Sequence, residues 1–291
     1  MGATPLATTK TDVRASELAL WLQRAYRRSS ATGDAYVESI ARLLSFTGEH
    51  HLRDVGAKQL LRWQEDLARE LAPASVNRHV AAVKSAYDYL CRSGELDRNP
   101  SALLLPERTS SNVARRILSE GEVLALLEHA KPGRNRLIIR VLYAGGLRVS
   151  ELCSLHWADA TPQDDRGMLV VTGKGRRTRS VPVSPATWRE LMEFAIGRRD
   201  PNRPMFACGR QEDRPICRWQ VRNIVRRAAA AAGLSEEISP HWLRHAHATH
   251  ALKNGAKLHV VQQTLGHRSL RTTGMYLHAR PGESSADFLV V

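Results

Sequence analysis

Ser239-Pro240 marks a helix start, a hydroxyl able to cap the first turn followed by a proline that fits it, and Lys253 with Gly255 marks the matching end. His241 and Arg244 therefore fall three residues apart on one face at a helix N-terminus, where unpaired backbone N–H groups already favour an anion. Such a pair can hold a phosphate, and it can equally be structural. His245, His247 and His250 follow on the same helix. No Asp or Glu stands beside them at ligand spacing, and there is neither a His-Glu-x-x-His pattern nor a neighbouring Cys, so packing or solvation is the reading preferred to a metal. Further on, a helix is predicted over Leu258–Leu265, closed by Gly266, with His267 just past the cap and Tyr276 on another short helical stretch. By pattern alone Tyr276 fits an amphipathic core position.

The elements that must position these residues follow from periodicity. An apolar helical stretch, Leu137–Tyr143, is broken by Gly145-Gly146 just before Arg148, and a short polar helix is predicted from Ser150. Met168–Thr172 and Arg179–Val183 are strand-like runs joined through Gly173-Lys174-Gly175, a β-hairpin with Lys174 near its tip. Ser119 and Glu122 form a capping box ahead of a helix over Val123–Ala130. Everything after Ser184 is predicted helical, including a basic row of Arg218, Arg222 and Arg226 that fits either phosphate contacts or a solvated face.

The N-terminal part is predicted helical throughout from Ser16 to Asn99. Its clearest helix, Ser75–Cys91, sets Val76, Val80, Val83, Tyr87 and Leu90 on one face and Arg78 with Arg92 on the other. The expected organisation is a tail over 1–14, a helical domain over 15–100, a linker over 101–116 ending in Arg115-Arg116, a second domain over 117–278 and a tail over 279–291.

Composition narrows the partners. The 43 Lys and Arg against 29 Asp and Glu leave a net charge of +14 on 291 residues, most of it C-terminal of residue 110, so a polyanion is the natural partner. Arg78, Lys84, Arg115, Arg116, Arg218 and Arg222 are the candidate DNA contacts, a solvated surface fitting Arg78 and Lys84 equally well. The four cysteines lack a metal-like or paired spacing, and no apolar run reaches the roughly 18 residues that a bilayer span needs. Reduced thiols, a cytoplasmic location and no membrane partner are expected.

Four segments then resemble the motifs of one family, in its order and at compatible spacings: AGGLRVSELCSL (Ala144–Leu155), VTGKGRRTRSVPV (Val171–Val183), PHWLRHAHATH (Pro240–His250) and LGHRSLRTTGMYLH (Leu265–His278). The chain is identified by them as a member of the tyrosine recombinases, of the compact Xer-like kind. The resemblance implies a mainly α fold, with a helical core-binding domain and a mixed α/β catalytic domain carrying a small antiparallel hairpin. It implies catalysis by Arg148, Lys174, His241, Arg244, His267 and the nucleophile Tyr276, with Glu151 in support, through a 3′-phosphotyrosyl bond and a Holliday junction. It implies no metal and no ATP or other cofactor. Double-stranded recombination sites are the implied partner, bound by a homotetramer on two sites, with a paralogous recombinase or accessory protein open, in the nucleoid-bearing cytoplasm. The tail over 279–291 is expected to dock on a neighbouring subunit or on its own domain. A type IB topoisomerase shares this chemistry, and the recombinase-like helical N-terminal domain and tail argue against it; a regulator can keep the shape without cutting, and all six residues being present argues against that.

Overall fold

A computed structural model describes residues 30–108, 117–173, 177–197, 200–209 and 211–266. Two compact units divide the chain, Met1–Ser110 and Ser111–Val291. Lys174, His267, Tyr276, Arg115, Arg116 and the tail over 279–291 lie outside the described residues.

The first unit is helical: α1 (Ser30–Thr47), α2 (Ala57–Glu70) and α3 (Pro73–Arg92), with single 3-10 turns at Leu52–Asp54 and Pro100–Leu103. Each helix buries residues one and two turns apart. Tyr36, Ile40 and Leu43 of α1, Leu60, Trp63 and Leu67 of α2, and Val76, Val80, Val83 and Tyr87 of α3 fill one core. The Tyr87 hydroxyl donates to Leu52 O at 2.8 Å, which ties the first turn to α3. Helix α3 begins two residues earlier than predicted because Pro73 fits a first helical turn.

Part of the predicted linker is not loose. Leu104 is fully buried, Lys84 Nζ donates to its carbonyl at 2.8 Å, and Asn77 bonds both the carbonyl and the amide of Glu107 at 2.9 and 2.7 Å. Periodicity cannot reveal this, since the segment is held by side chains rather than by a helical face.

The second unit holds α4 (Glu120–His129), α5 (Arg134–Ala144), α6 (Val149–Cys153), β1 (Ala160–Gln163), β2 (Arg166–Thr172), β3 (Thr178–Val183), α7 (Pro185–Ala195), β4 (Ala207–Cys208), β5 (Gln211–Pro215), α8 (Arg218–Ala231), α9 (Pro240–Lys253) and α10 (Leu258–Leu265). The capping box of Ser119 and Glu122 starts α4 as predicted. Strands β1, β2 and β3 make an antiparallel sheet in that order, with Thr172 opposite Thr178 and Gly173 N donating to Arg177 O at 2.8 Å across the hairpin end. Helix α7 packs on this sheet. A Cβ on Gly167 would lie 1.9 Å from the Trp188 ring, so only glycine lets β2 and α7 approach this closely.

Two strand features escape the sequence pattern. Strand β1 is Ala-Thr-Pro-Gln, and β4 with β5 form a small hairpin in the region predicted helical throughout. Neither carries the alternating β-branched run that marks a strand. Helix α9 is packed on nearly every side, burying Leu243, Arg244, His245, Ala246, Ala248, His250 and Leu252.

Candidate active site

Glu151 is the point on which two of the expected site residues, Arg148 and Arg244, converge. It sits in the first turn of α6, its side chain 2 % exposed, and takes four hydrogen bonds. Arg148 donates from its backbone N–H at 2.8 Å and from Nη1 at 2.7 Å. Arg179 donates from Nη1 at 2.9 Å and from Nη2 at 2.8 Å. Burial alone would raise this carboxyl, yet the hydrogen bonds from Arg179 and Arg148 hold it down at about 2. An ionised carboxylate with four N–H partners is a rigid anchor.

Arg148 caps α6 and keeps 39 % of its side chain exposed while one edge of the guanidinium is fixed on Glu151. Arg244 comes from α9 and is 2 % exposed. Its Nη1 donates to Gly146 O at 2.6 Å and lies 3.9 Å from Glu151 Oε2, and its Nη2 donates to Leu265 O at 2.7 Å. Two guanidinium groups from distant parts of the sequence thus converge on one carboxylate. Gly146 makes this possible, with φ of +56° and a Cα so close to α9 that a Cβ would lie 2.7 Å from the His247 ring and 2.8 Å from Leu265.

His241 and Arg244 share the start of α9 but differ in depth. His241 is exposed, whereas Arg244 is buried. The expected Ser239 N-cap is in place, but its hydroxyl makes no capping bond. The His241 ring meets the buried His245 ring edge to face, centroids 4.2 Å apart.

The other two histidines fasten α9 to the end of α5. His247 Nδ1 donates to Tyr143 O at 2.8 Å, and His250 Nδ1 pairs with the Tyr143 hydroxyl at 2.9 Å. That fixes the segment leading through Gly146 to Arg148 against the helix that carries Arg244. Burial pushes the His247 ring down to about 4, aided by the Arg244 charge and opposed by the bond to Tyr143. Its folded-state value lies below the unfolded 6.5, so its contribution to stability is complete above pH 6.5 and drains away as pH falls towards 4. Urea unfolding of the wild type is expected to lose roughly 3 kcal/mol more between pH 7 and pH 4 than His247→Gln, which still donates to Tyr143 O but does not titrate. Parallel pH profiles for the two proteins would remove His247 from this role.

Arg179, bonded to Glu151, is a site residue that the sequence pattern does not single out. A signal is present all the same: in Arg179-Ser180-Val181-Pro182-Val183 the strand period puts Arg179 on the same face as the buried Val181 and Val183, and a charged residue on an inward face demands a partner. Trp219 on α8 is not singled out either. That ring is 70 % exposed between Arg218 and Arg222, which are exposed too, as its position off the buried Val221 and Val225 face dictates. Arg78 is exposed on α3, while Lys84 is half-buried and bonded to Leu104 O. Among the described residues, no group of three His, Cys, Asp or Glu is placed to hold a metal ion.

Comparison with known proteins gives this arrangement a family. Residues 116–283 match the Phage integrase family, and residues 17–94 match the Phage integrase, N-terminal SAM-like domain. The chain is 31% identical over 259 residues to Tyrosine recombinase XerC of Xylella fastidiosa (strain M23), covering 86% of each protein. It is 38% identical over 219 residues to Tyrosine recombinase XerC of Erythrobacter litoralis, covering 72% of this chain and 70% of the relative. The fold matches that of XerH site-specific recombinase bound to its palindromic difH substrate, with a TM-score of 0.73 at 20% identity over 96% of this chain and 88% of that one. It also matches a lambda integrase tetramer bound to a Holliday junction, with a TM-score of 0.68 at 22% identity over 91% and 83%. A family match over more than half the chain and XerC relatives above 30% identity over most of its length agree: the chain belongs to the phage integrase family and is a site-specific tyrosine recombinase of Xer type.

Proposed function

We propose that this recombinase cuts DNA with Tyr276, using Arg148, Arg244, His241, Lys174 and His267 around the scissile phosphate. The observation that carries this reading is the convergence of Arg148 and Arg244 on Glu151, at 2.7 and 3.9 Å. In-line attack on a phosphodiester concentrates negative charge on the two non-bridging oxygens, and fixed guanidinium forks stabilise it without reorganising. The Tyr276 oxygen forms the new bond to phosphorus as the bond to the 5′ oxygen breaks. His241, exposed at the start of α9, takes the phenol proton. Lys174, which follows Gly173 in the sequence between β2 and β3, gives a proton to the leaving 5′ oxygen. His267 follows the left-handed Gly266 and positions the phosphate. The phosphotyrosyl bond conserves the energy of the broken bond, so a 5′-hydroxyl from a second strand reverses the step, and two rounds pass through a Holliday junction.

In this reading the functional domains are 15–100, which binds the core site, and 117–278, which cuts, joined over 101–116. A homotetramer on two double-stranded sites acts on the nucleoid in the cytoplasm, with the tail over 279–291 docking on a neighbouring subunit. No helix among the described residues is long and apolar enough to cross a membrane. Arg115 and Arg116 follow the DNA backbone.

The testing experiment uses a duplex site nicked beside the cleavage position, incubated in EDTA, with the covalent product digested and the modified peptide mapped by mass spectrometry. The expected result is a nucleotide adduct on Tyr276. A site that is bound yet never captured covalently, or an adduct on another residue, would overturn the reading.

The exposed α8 row of Arg218, Trp219, Arg222 and Arg226 is proposed as a DNA-contacting face. Arg222→Ala is expected to weaken site binding and to lower the slope of log affinity against log salt by about one counterion. Binding measured at three or more salt concentrations checks it, and an unchanged slope takes Arg222 off the phosphate backbone.

A further inference from the structure

We propose that Arg179 is a positioning residue for the cleavage step, a clamp that keeps the two phosphate-binding arginines apart by saturating the carboxylate between them. The inference rests on the roles given above to Arg148 and Arg244.

Arg179 uses its whole fork. Nη1 and Nη2 bind the two oxygens of Glu151, and Nε donates to Thr264 O at 2.6 Å. One side chain on β3 therefore joins α6, which follows Arg148, to the last turn of α10, which precedes His267. Its surroundings are shaped to it. A Cβ on Gly266 would lie 3.1 Å from Arg179 Cδ, and one on Gly173, the residue before Lys174, would lie 3.7 Å from Arg179 Nη1. The clamp thus borders every segment that leads to an expected catalytic residue of the hairpin, α6 and α10.

A carboxylate offers about four acceptor positions. Glu151 fills four, two with Arg148 and two with Arg179. Arg244 Nη1 stops at 3.9 Å from Oε2, beyond hydrogen-bond distance, and donates instead to Gly146 O, while Nη2 donates to Leu265 O. Without Arg179 two acceptor positions of a buried anion open beside the Arg244 guanidinium. Arg244 closes that gap, and because its side chain is buried, with no exposed edge like that of Arg148, a turn onto Glu151 takes its fork away from the phosphate. Arg179 is 14 % exposed and faces inward, so it acts through the other two arginines rather than on DNA.

The test compares wild type, Arg179→Ala and Arg179→Lys in single-turnover covalent capture. Two nicked substrates are used, one with an ordinary scissile phosphodiester and one with a methylphosphonate there, which carries no charge for the arginines to neutralise. Equilibrium binding and thermal unfolding are measured alongside. The lysine variant keeps a cation on Glu151 but cannot bridge to Thr264, and it serves if the alanine variant does not fold. The expected result is a loss of about 30-fold in capture rate on the phosphodiester for a folded variant that binds the site normally, shrinking several-fold on the methylphosphonate. Capture at the wild-type rate on the phosphodiester would overturn the inference. So would an equal loss on both substrates, which marks a role in general architecture. If the wild type itself gives no Tyr276 adduct on a bound site, the proposed function fails and this inference with it; a wild-type adduct with an unaffected Arg179→Ala protein defeats this inference alone.

Discussion

Arg244→Ala is expected to slow covalent capture by about 1,000-fold and to cost the second unit roughly 3 kcal/mol of stability. The two effects have separate causes. Stability falls because Arg244 is among the largest fully buried side chains, and its removal leaves Gly146 O and Leu265 O, both bonded at under 2.8 Å, without their donors. Cleavage, in the proposed mechanism, falls because one of two guanidinium forks no longer meets the charge that builds at phosphorus. Arg244→Lys separates them. A lysine restores a cation and about one of the two carbonyl bonds, so stability should recover in part, whereas the planar fork is lost and capture should stay at least about 100-fold down. Single-turnover capture and thermal unfolding on the same preparations measure both. A lysine variant that cuts at the wild-type rate would show that charge at this position suffices and geometry does not matter.

The sequence was most readable where local rules and tertiary packing agree. Helix α10 closes on Gly266, as predicted, and does so in the left-handed conformation because a chain turning there needs positive φ and glycine supplies it. The hairpin of β2 and β3 followed from alternation, and the α4 start from a reciprocal Ser119–Glu122 cap. What escaped is non-local. Strand β1 exists because β2 offers it an edge, with Ala160 opposite Leu169, not because Ala-Thr-Pro-Gln prefers to be extended. Glu151 is expected as a supporting residue only through the family resemblance, from the acidic position after Arg148. Its four partners were not legible, since two of them come from β3, and a bidentate pair across 28 positions leaves no periodic trace. The depth of Arg244 was hidden for a similar reason: positions three apart share a face, but which of them is covered depends on α5 and α10 packing over α9.

The charge balance of the site also depends on what is kept neutral. Arg148, Arg179 and Arg244 bring three permanent cations around one anion, so the cluster retains an excess of positive charge for a phosphate to meet. His247 lies against Gly146, and a proton on its ring would add a fourth cation behind the clamp instead of in front of it. Burial prevents that at neutral pH. The histidines of α9 thus divide by depth, with His241 exposed at its start and His247 inside held neutral as a strut between helices.

Glu151→Gln tests whether this anchor works by charge. The side chain keeps its size, but one oxygen becomes an NH2 group that faces guanidinium N–H donors and can accept from none of them. Breaking a buried pair in this way typically costs about 3 kcal/mol, and a loosened Arg148 should lower capture by about 100-fold. Acid dependence supplies the sharper distinction. The carboxyl sits at about 2 in the folded protein against 4.5 unperturbed, so its contribution is complete above pH 4.5 and is lost as pH falls from there towards 2. That loss amounts to roughly 3 kcal/mol in the wild type and is absent from the glutamine variant, whose urea midpoint should change less between pH 5 and pH 3. This window lies below most of the His247 window, so the two groups can be told apart on one pH series. Equal acid sensitivity in wild type and Glu151→Gln would mean that the three arginines are held by shape alone, and the saturation argument for Arg179 would fall with the charge it depends on.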